Sequence, residues 1–241
     1  SYSVYCFYDQ TGVFHVFTIW RHIFMSNFLN PENSVMQFLA RVCDYLILNV
    51  IFILSCIPIF TVGAALSALY TVSFKMLRKE DGYVLKRYFK AFCANFKQGT
   101  ILWLICLILF FFLQYDGLII GSMGGSMGQI LSILFYTIVL VLAAMFLYLW
   151  PILAYFVCTT KQVVKNALYM CLGHLPWTAL LLLYFGLVWF IMTRSILTLG
   201  IVVAVSMAGG FSLTAWITGK IFLKIFARYQ PETSQTEEQQ E

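Results

Sequence analysis

Charge is scarce in this 241-residue chain: only 10% of its residues are Asp, Glu, Lys or Arg, against about a quarter in soluble domains. That scarcity excludes an ordinary water-soluble domain. It also turns a net charge of +5 into a statement about membrane topology rather than nucleic acid. Histidine occurs three times, and His174, in GHLPWT, has no carboxylate near it in sequence to make a general base or a metal ligand set. None of the seven cysteines forms a CxxC pair, and none falls in the loop assigned to the outside. Neither a zinc site nor a disulfide framework follows, and the thiols read as small apolar fillers. The glycines at 124, 125 and 128 follow no strand and lack a trailing Lys-Ser/Thr, so they form no phosphate loop. No acidic or basic side chain stands near the middle of an apolar run, which removes the carrier for a proton or sodium relay. The chain therefore reads as non-enzymatic, with no cofactor, no metal and no identifiable small-molecule substrate.

What is abundant is apolar length. With 61% hydrophobic residues, and about 20 needed per crossing, there is room for several spans. The first runs over residues 35–57 and stops at Pro58, which cannot continue a hydrogen-bonded helix. A second follows over 62–77. Only 30 uncharged residues separate Asp44 from Lys75, short for two crossings, but a hairpin fits if Arg41, Asp44 and Lys75 sit at the inner interface. Residues 98–115 make a third span, 116–128 a glycine-rich outer loop, and 129–157 a fourth span with Pro151 as a kink. A short helix beyond Lys161 and Lys165 leads to a fifth span at 176–193. Arg194 and Ser195 turn the chain into a sixth, 196–221, where Gly209 and Gly210 serve packing or a kink. The expectation is an all-α polytopic membrane helix bundle of about six transmembrane helices with a short amphipathic interfacial helix.

The stretch 75–97 carries seven of the fifteen Lys and Arg residues. With both termini cytoplasmic in a cell membrane, fourteen of the fifteen lie inside and Arg194 alone outside, a strong positive-inside bias. Within that stretch Phe89, Phe92, Cys93 and Phe96 share one helical face, while Lys86, Lys90 and Lys97 form another stripe. This suits a helix lying in the headgroup layer, and is compatible with a docking face for a partner. Asp44 and Asn49 are the polar residues near the first span; Arg41, one turn before Asp44, is placed to pair with it as an interfacial ion pair. Gly63 and Ser67, like Ala64 and Ala68, repeat at a spacing of four, which lets another helix approach closely.

The ends differ from the middle. Residues 1–24 begin without Met and carry an apolar run at 13–20 that is too short to span, so they read as a non-native or disordered extension before a start at Met25. Residues 25–229 form the membrane domain. From residue 230 the acidic tail reads as disordered.

Quoted as they stand, CDYLILN, IPIFTVGAALSALY, the acidic-Gly-Tyr of EDGY, and NFKQGTILWL resemble the YesL family of bacterial membrane proteins. The likeness is strongest over residues 28–103 and looser through KNALYMCLGHLPWT. It implies a small polytopic protein of the cell membrane, encoded beside carbohydrate ABC importers and glycoside hydrolases, with no catalytic residues to carry over. From it follows the expectation of an accessory or assembly component of an oligosaccharide importer, meeting the lipid bilayer and the importer's permease or ATPase subunits but no nucleic acid. An independent channel or facilitator, or a regulatory membrane protein, is the alternative.

Overall fold

The computed structural model describes residues 34–80, 82–122 and 125–229. The two ends assigned above as an extension and a disordered tail lie outside these residues, as does Asp81 of EDGY. Among the described residues the structure is all α, with no strand. We number the helices α1 (Ser34–Ser55), α2 (Val62–Leu77), α3 (Val84–Ser122), α4 (Gly125–Tyr155), α5 (Thr160–Gly173), α6 (Leu175–Met192), α7 (Ile196–Val205) and α8 (Phe211–Phe226). Six helical segments among the described residues are long and apolar enough to cross a membrane: α1, α2 with the 3₁₀ turn before it, α3, α4, α6, and α7 with α8.

The chain divides into two units, residues 1–44 and 45–241. Of the first, the structure describes the opening of α1, where Phe38, Leu39 and Arg41 are exposed and Asp44 is half-buried. No ion pair joins Arg41 to Asp44, which corrects the sequence expectation. The order is the unfavourable one on a helix, with the cation toward the N-terminus.

In the second unit α2 is the axis. Gly63, Ala64, Ala65, Ser67, Ala68, Leu69, Tyr70, Val72, Ser73 and Phe74 are all buried, so every face of this helix is covered. It packs against α3, α4 and α8. Small side chains make that possible: helices driven together by van der Waals contact gain most where backbones can approach. Large aromatic side chains close the end of the bundle where α8 finishes: Phe222 stacks on Phe226, and Tyr148 meets Phe222 edge-on at 5.1 Å.

Two further expectations are corrected here. The basic stretch does not hold a separate interfacial helix, because α3 runs unbroken from Val84 to Ser122. No proline interrupts it, and the glycine at 99 weakens a helix by only about 1 kcal/mol, less than the packing it permits. The glycine-rich loop expected over 116–128 is likewise almost wholly helical: α3 continues to Ser122 and α4 starts at Gly125. Where the surroundings are apolar, backbone groups favour internal hydrogen bonds over exposure, so glycine is tolerated within helices. The last apolar run does break, at a π turn over Ser206–Gly210 in which Gly209 has φ 157°.

Candidate functional site

Four sets of residues carry the polar and charged chemistry of the described chain. The first is the opening of α3. Its buried side is Val84, Tyr88, Ala91, Gly99 and Leu102, with Asn95 between them donating from Nδ2 to the Ser67 hydroxyl at 2.9 Å. On the other side Leu85, Lys86, Phe89, Lys90, Phe96 and Lys97 are exposed, while Phe92 is half-buried and stacks on Tyr88. The Phe/Lys face is therefore a free surface carrying three cations. Glu80 and the following turn are tied to the same helix, since Arg87 Nη1 donates to the Glu80 carbonyl at 2.8 Å.

The second set is the crossing of α2 and α3. A Cβ placed on Gly99 would lie 2.8 Å from Ala64 N and 2.9 Å from Ala64 Cα. A Cβ on Gly63 would meet the Gly99 carbonyl, and Trp103 Cβ at 2.7 Å. Trp103 and Trp150 face each other at 5.9 Å between ring centroids beside this crossing. Their Nε1 groups, with Thr100 Oγ1, are buried without a hydrogen-bond partner. Gly63, Ala64 and Ser67 meet α3 here, and Ala68, one turn further along α2, is also buried.

The third set centres on Asn49, fully buried. Its Nδ2 donates to the carbonyls of Met207 at 2.9 Å and Ser206 at 3.2 Å, and its Oδ1 accepts from Ser212 N at 3.3 Å. One amide thus serves both ends of the break between α7 and α8, supplying partners that the interrupted helix has lost. Sequence reasoning noted Asn49 but not its role. A lone amide in an apolar run was the available signal, and its partners lie some 160 residues away.

The fourth set lies where α2 ends, α4 ends and α5 meets α6. Arg78 Nη2 donates to the Tyr155 hydroxyl at 2.6 Å, and the two flank a cleft of about 180 Å³ lined also by Lys75 and Glu80. At the corner between α5 and α6, Tyr148 OH and Thr178 Oγ1 are 2.9 Å apart, and Thr178 donates to the Cys171 carbonyl at 2.9 Å. His174 Nε2 sits 3.0 Å from Tyr229 OH. Among the described residues no group of three His, Cys, Asp or Glu side chains could hold a metal ion, and the six cysteines are free thiols.

Residues 45–117 match a family model described as Protein of unknown function, DUF624. The matched segment runs from α1 through most of α3, and so contains the Phe/Lys face and the Gly63–Gly99 crossing. No curated protein and no solved structure matches the chain.

Proposed function

We propose that the protein is a non-enzymatic accessory or assembly component of a carbohydrate ABC import system, of the YesL kind, docking through the exposed face of α3. It sits in the cell membrane with both termini in the cytoplasm, the orientation that leaves Arg194 as the lone external cation. One observation carries this reading. Leu85, Phe89 and Phe96 are 53%, 49% and 38% exposed on the same helix that presents Lys86, Lys90 and Lys97. Apolar side chains flanked by cations suit a helical or acidic partner surface, and the importer's permease or ATPase is the partner that the family resemblance implies.

The test pairs capture with transport. Phe89→Ala combined with Lys90→Glu should abolish co-purification of importer subunits from mild detergent while leaving the melting temperature unchanged, because neither side chain is packed in the core. Sugar uptake that is identical with and without the protein would end the proposal. An external reading from a reporter fused to either terminus would overturn the orientation.

A second reading, an independent facilitator, is favoured by the α7–α8 break. Irregular backbone at membrane depth is tolerated where it is buried in protein or lines a cavity, and broken helices are a common feature of transporter sites. Purified protein in liposomes that moves no solute would remove it.

A further inference from the structure

The depth of the α1–α2 turn can be read from the helices it touches. Gly63, just past the turn, is packed on Gly99 and Trp103 of α3. Lys97, exposed, lies two residues toward the inner end from Gly99, about 3 Å along the helix. Asp116, also exposed, lies seventeen residues toward the outer end, about 26 Å. Between Lys97 and Asp116 no residue is charged, and Ile101, Ile105, Ile108, Phe111 and Phe112 are exposed. That interval of nineteen residues, about 28 Å, matches a hydrocarbon core of about 30 Å. Two other helices agree. Trp150 of α4 reaches Gly63, and α4 continues outward for twenty-five residues to Gly125, about 37 Å. Thr178 of α6 joins Tyr148 near the same level, and Arg194 lies sixteen residues, about 24 Å, further out.

The turn itself, Cys56 to Phe60, rises no more than about 11 Å beyond Gly63: about 8 Å to Ile59 at 3₁₀ spacing, and at most about 3 Å more to the extended Pro58. It has no charged or amide side chain, yet Ile57, Ile59 and Phe60 are 73%, 70% and 51% exposed. Its backbone polar groups are largely satisfied from within. Thr61 Oγ1 lies 2.6 Å from the Ser55 carbonyl and 2.7 Å from that of Pro58, Thr61 N donates to Pro58 O at 3.0 Å, and Cys56 N donates to Phe52 O at 3.0 Å. Proline contributes no N–H. This is how a turn is built for hydrocarbon, which offers an unpaired backbone group no partner. The turn at Arg194 and Ser195, by contrast, is polar.

We infer that the α1–α2 hairpin is re-entrant: its tip is seated among acyl chains in the inner half of the bilayer and does not reach the outer surface. A full crossing would require Lys90 and Lys97, both exposed, to lie within hydrocarbon. It would also leave the exposed Leu, Ile and Phe of the outer parts of α3 and α4 in water, against the cost of each. Four helical segments then cross completely, and the positive-inside count is unchanged because a re-entrant hairpin returns the chain to the side it left.

Labelling with a membrane-impermeant maleimide, read site by site as modified peptides, tests this. Ile59→Cys is compared with Ser195→Cys, in the outer turn, and Lys79→Cys, on the inner side, in intact cells and in inside-out vesicles. The expected result is that Ser195→Cys labels from outside, Lys79→Cys only from inside, and Ile59→Cys from neither, while a lipid-soluble maleimide reaches it. Outside labelling of Ile59→Cys as fast as Ser195→Cys overturns the inference. Labelling from inside alone keeps the re-entrant path and overturns the acyl seat. Ile57→Cys repeats the reading should Ile59→Cys fail to accumulate.

Discussion

Adding one methyl group separates a helix contact from a lipid-facing glycine. In Gly99→Ala the new Cβ would press on the backbone of Ala64 at 2.8 and 2.9 Å, with Gly63 C at 3.1 Å. Backbone atoms cannot swing aside as a side-chain tip can, so α2 and α3 must separate. Overpacking costs about 1–3 kcal/mol, and the higher helix propensity of alanine returns up to about 1 kcal/mol. The net expectation is a loss of about 1–2 kcal/mol. In Gly186→Ala, by contrast, the Cβ meets nothing within 4 Å, and only the propensity gain remains. The two variants should therefore differ by about 2–3 kcal/mol, or roughly 5–10 °C in melting temperature for a chain of this size. Trp103 and Trp150 lie beside the crossing, so tryptophan fluorescence during a thermal scan in mild detergent, at one fixed scan rate, reads the contact directly. Gly63→Ala should fall with Gly99→Ala, and Gly200→Ala, also in open space, with Gly186→Ala. A Gly99→Ala protein melting at or above Gly186→Ala would refute the close crossing.

Asn49→Ala should cost about 2–4 kcal/mol, since it leaves the carbonyls at the α7–α8 break and the Ser212 amide without their partner, whereas Asn95→Ala, which loses one bond to Ser67, should cost about 1 kcal/mol; chemical denaturation in mixed micelles ranks them, and equal losses would show that Asn49 does not hold the break. Thr178→Val should destabilise more than Tyr148→Phe, because the threonine hydroxyl serves both Tyr148 and the Cys171 carbonyl; thermal scans that reverse this order would count against the network. Burial raises the Cys171 thiol above its ordinary value of 9.0, so the thiol form contributes stability that is complete below that pH and is lost as the pH rises through the folded-state value. Alkylation of Cys171 at pH 7.5 should accordingly lag far behind that of exposed Cys93, and equal rates in the folded protein would contradict its burial.

Much of this fold is written locally. Apolar runs of sufficient length announce the membrane helices, and small residues four apart announce the face of α2 that α3 meets. The continuity of α3 was not legible, because Lys97 and Gly99 together resemble a boundary: the charge suggests water and the glycine suggests a stop. In the structure the same two residues do different jobs, Lys97 pointing outward while Gly99 admits another helix. The same ambiguity misplaced the outer loop, since Gly117 and Gly121 remain helical within α3. Asn49 illustrates a different limit. Its environment depends on a break far along the chain, and nothing within α1 reveals which carbonyls that break exposes.

The re-entrant hairpin raises a sharper point about reading apolar helices. By hydropathy both α2, with its 3₁₀ turn, and the later part of α3 qualify as spans, although α2 is the less apolar. Their side chains differ in size. VGAALSALYTVSF is small where it meets α3, at Gly63, Ala64 and Ser67, carries Leu66, Leu69, Tyr70 and Phe74 on its other side, and belongs to the most buried of the membrane-length segments. In α3, ILWLICLILFFFL is large all round, and none of its most apolar window is buried. Lipid is a solvent that accepts bulky apolar side chains at every angle, whereas helices that cross closely need small residues where their backbones meet. A helix buried on all faces has protein on all faces, and it needs no length set by bilayer thickness. For α2 that length is 16 residues, about 24 Å, less than the hydrocarbon core of about 30 Å. The membrane-length segment that holds α2 is the most enclosed of those described, as expected of an element whose depth is set by its neighbours rather than by the two membrane surfaces.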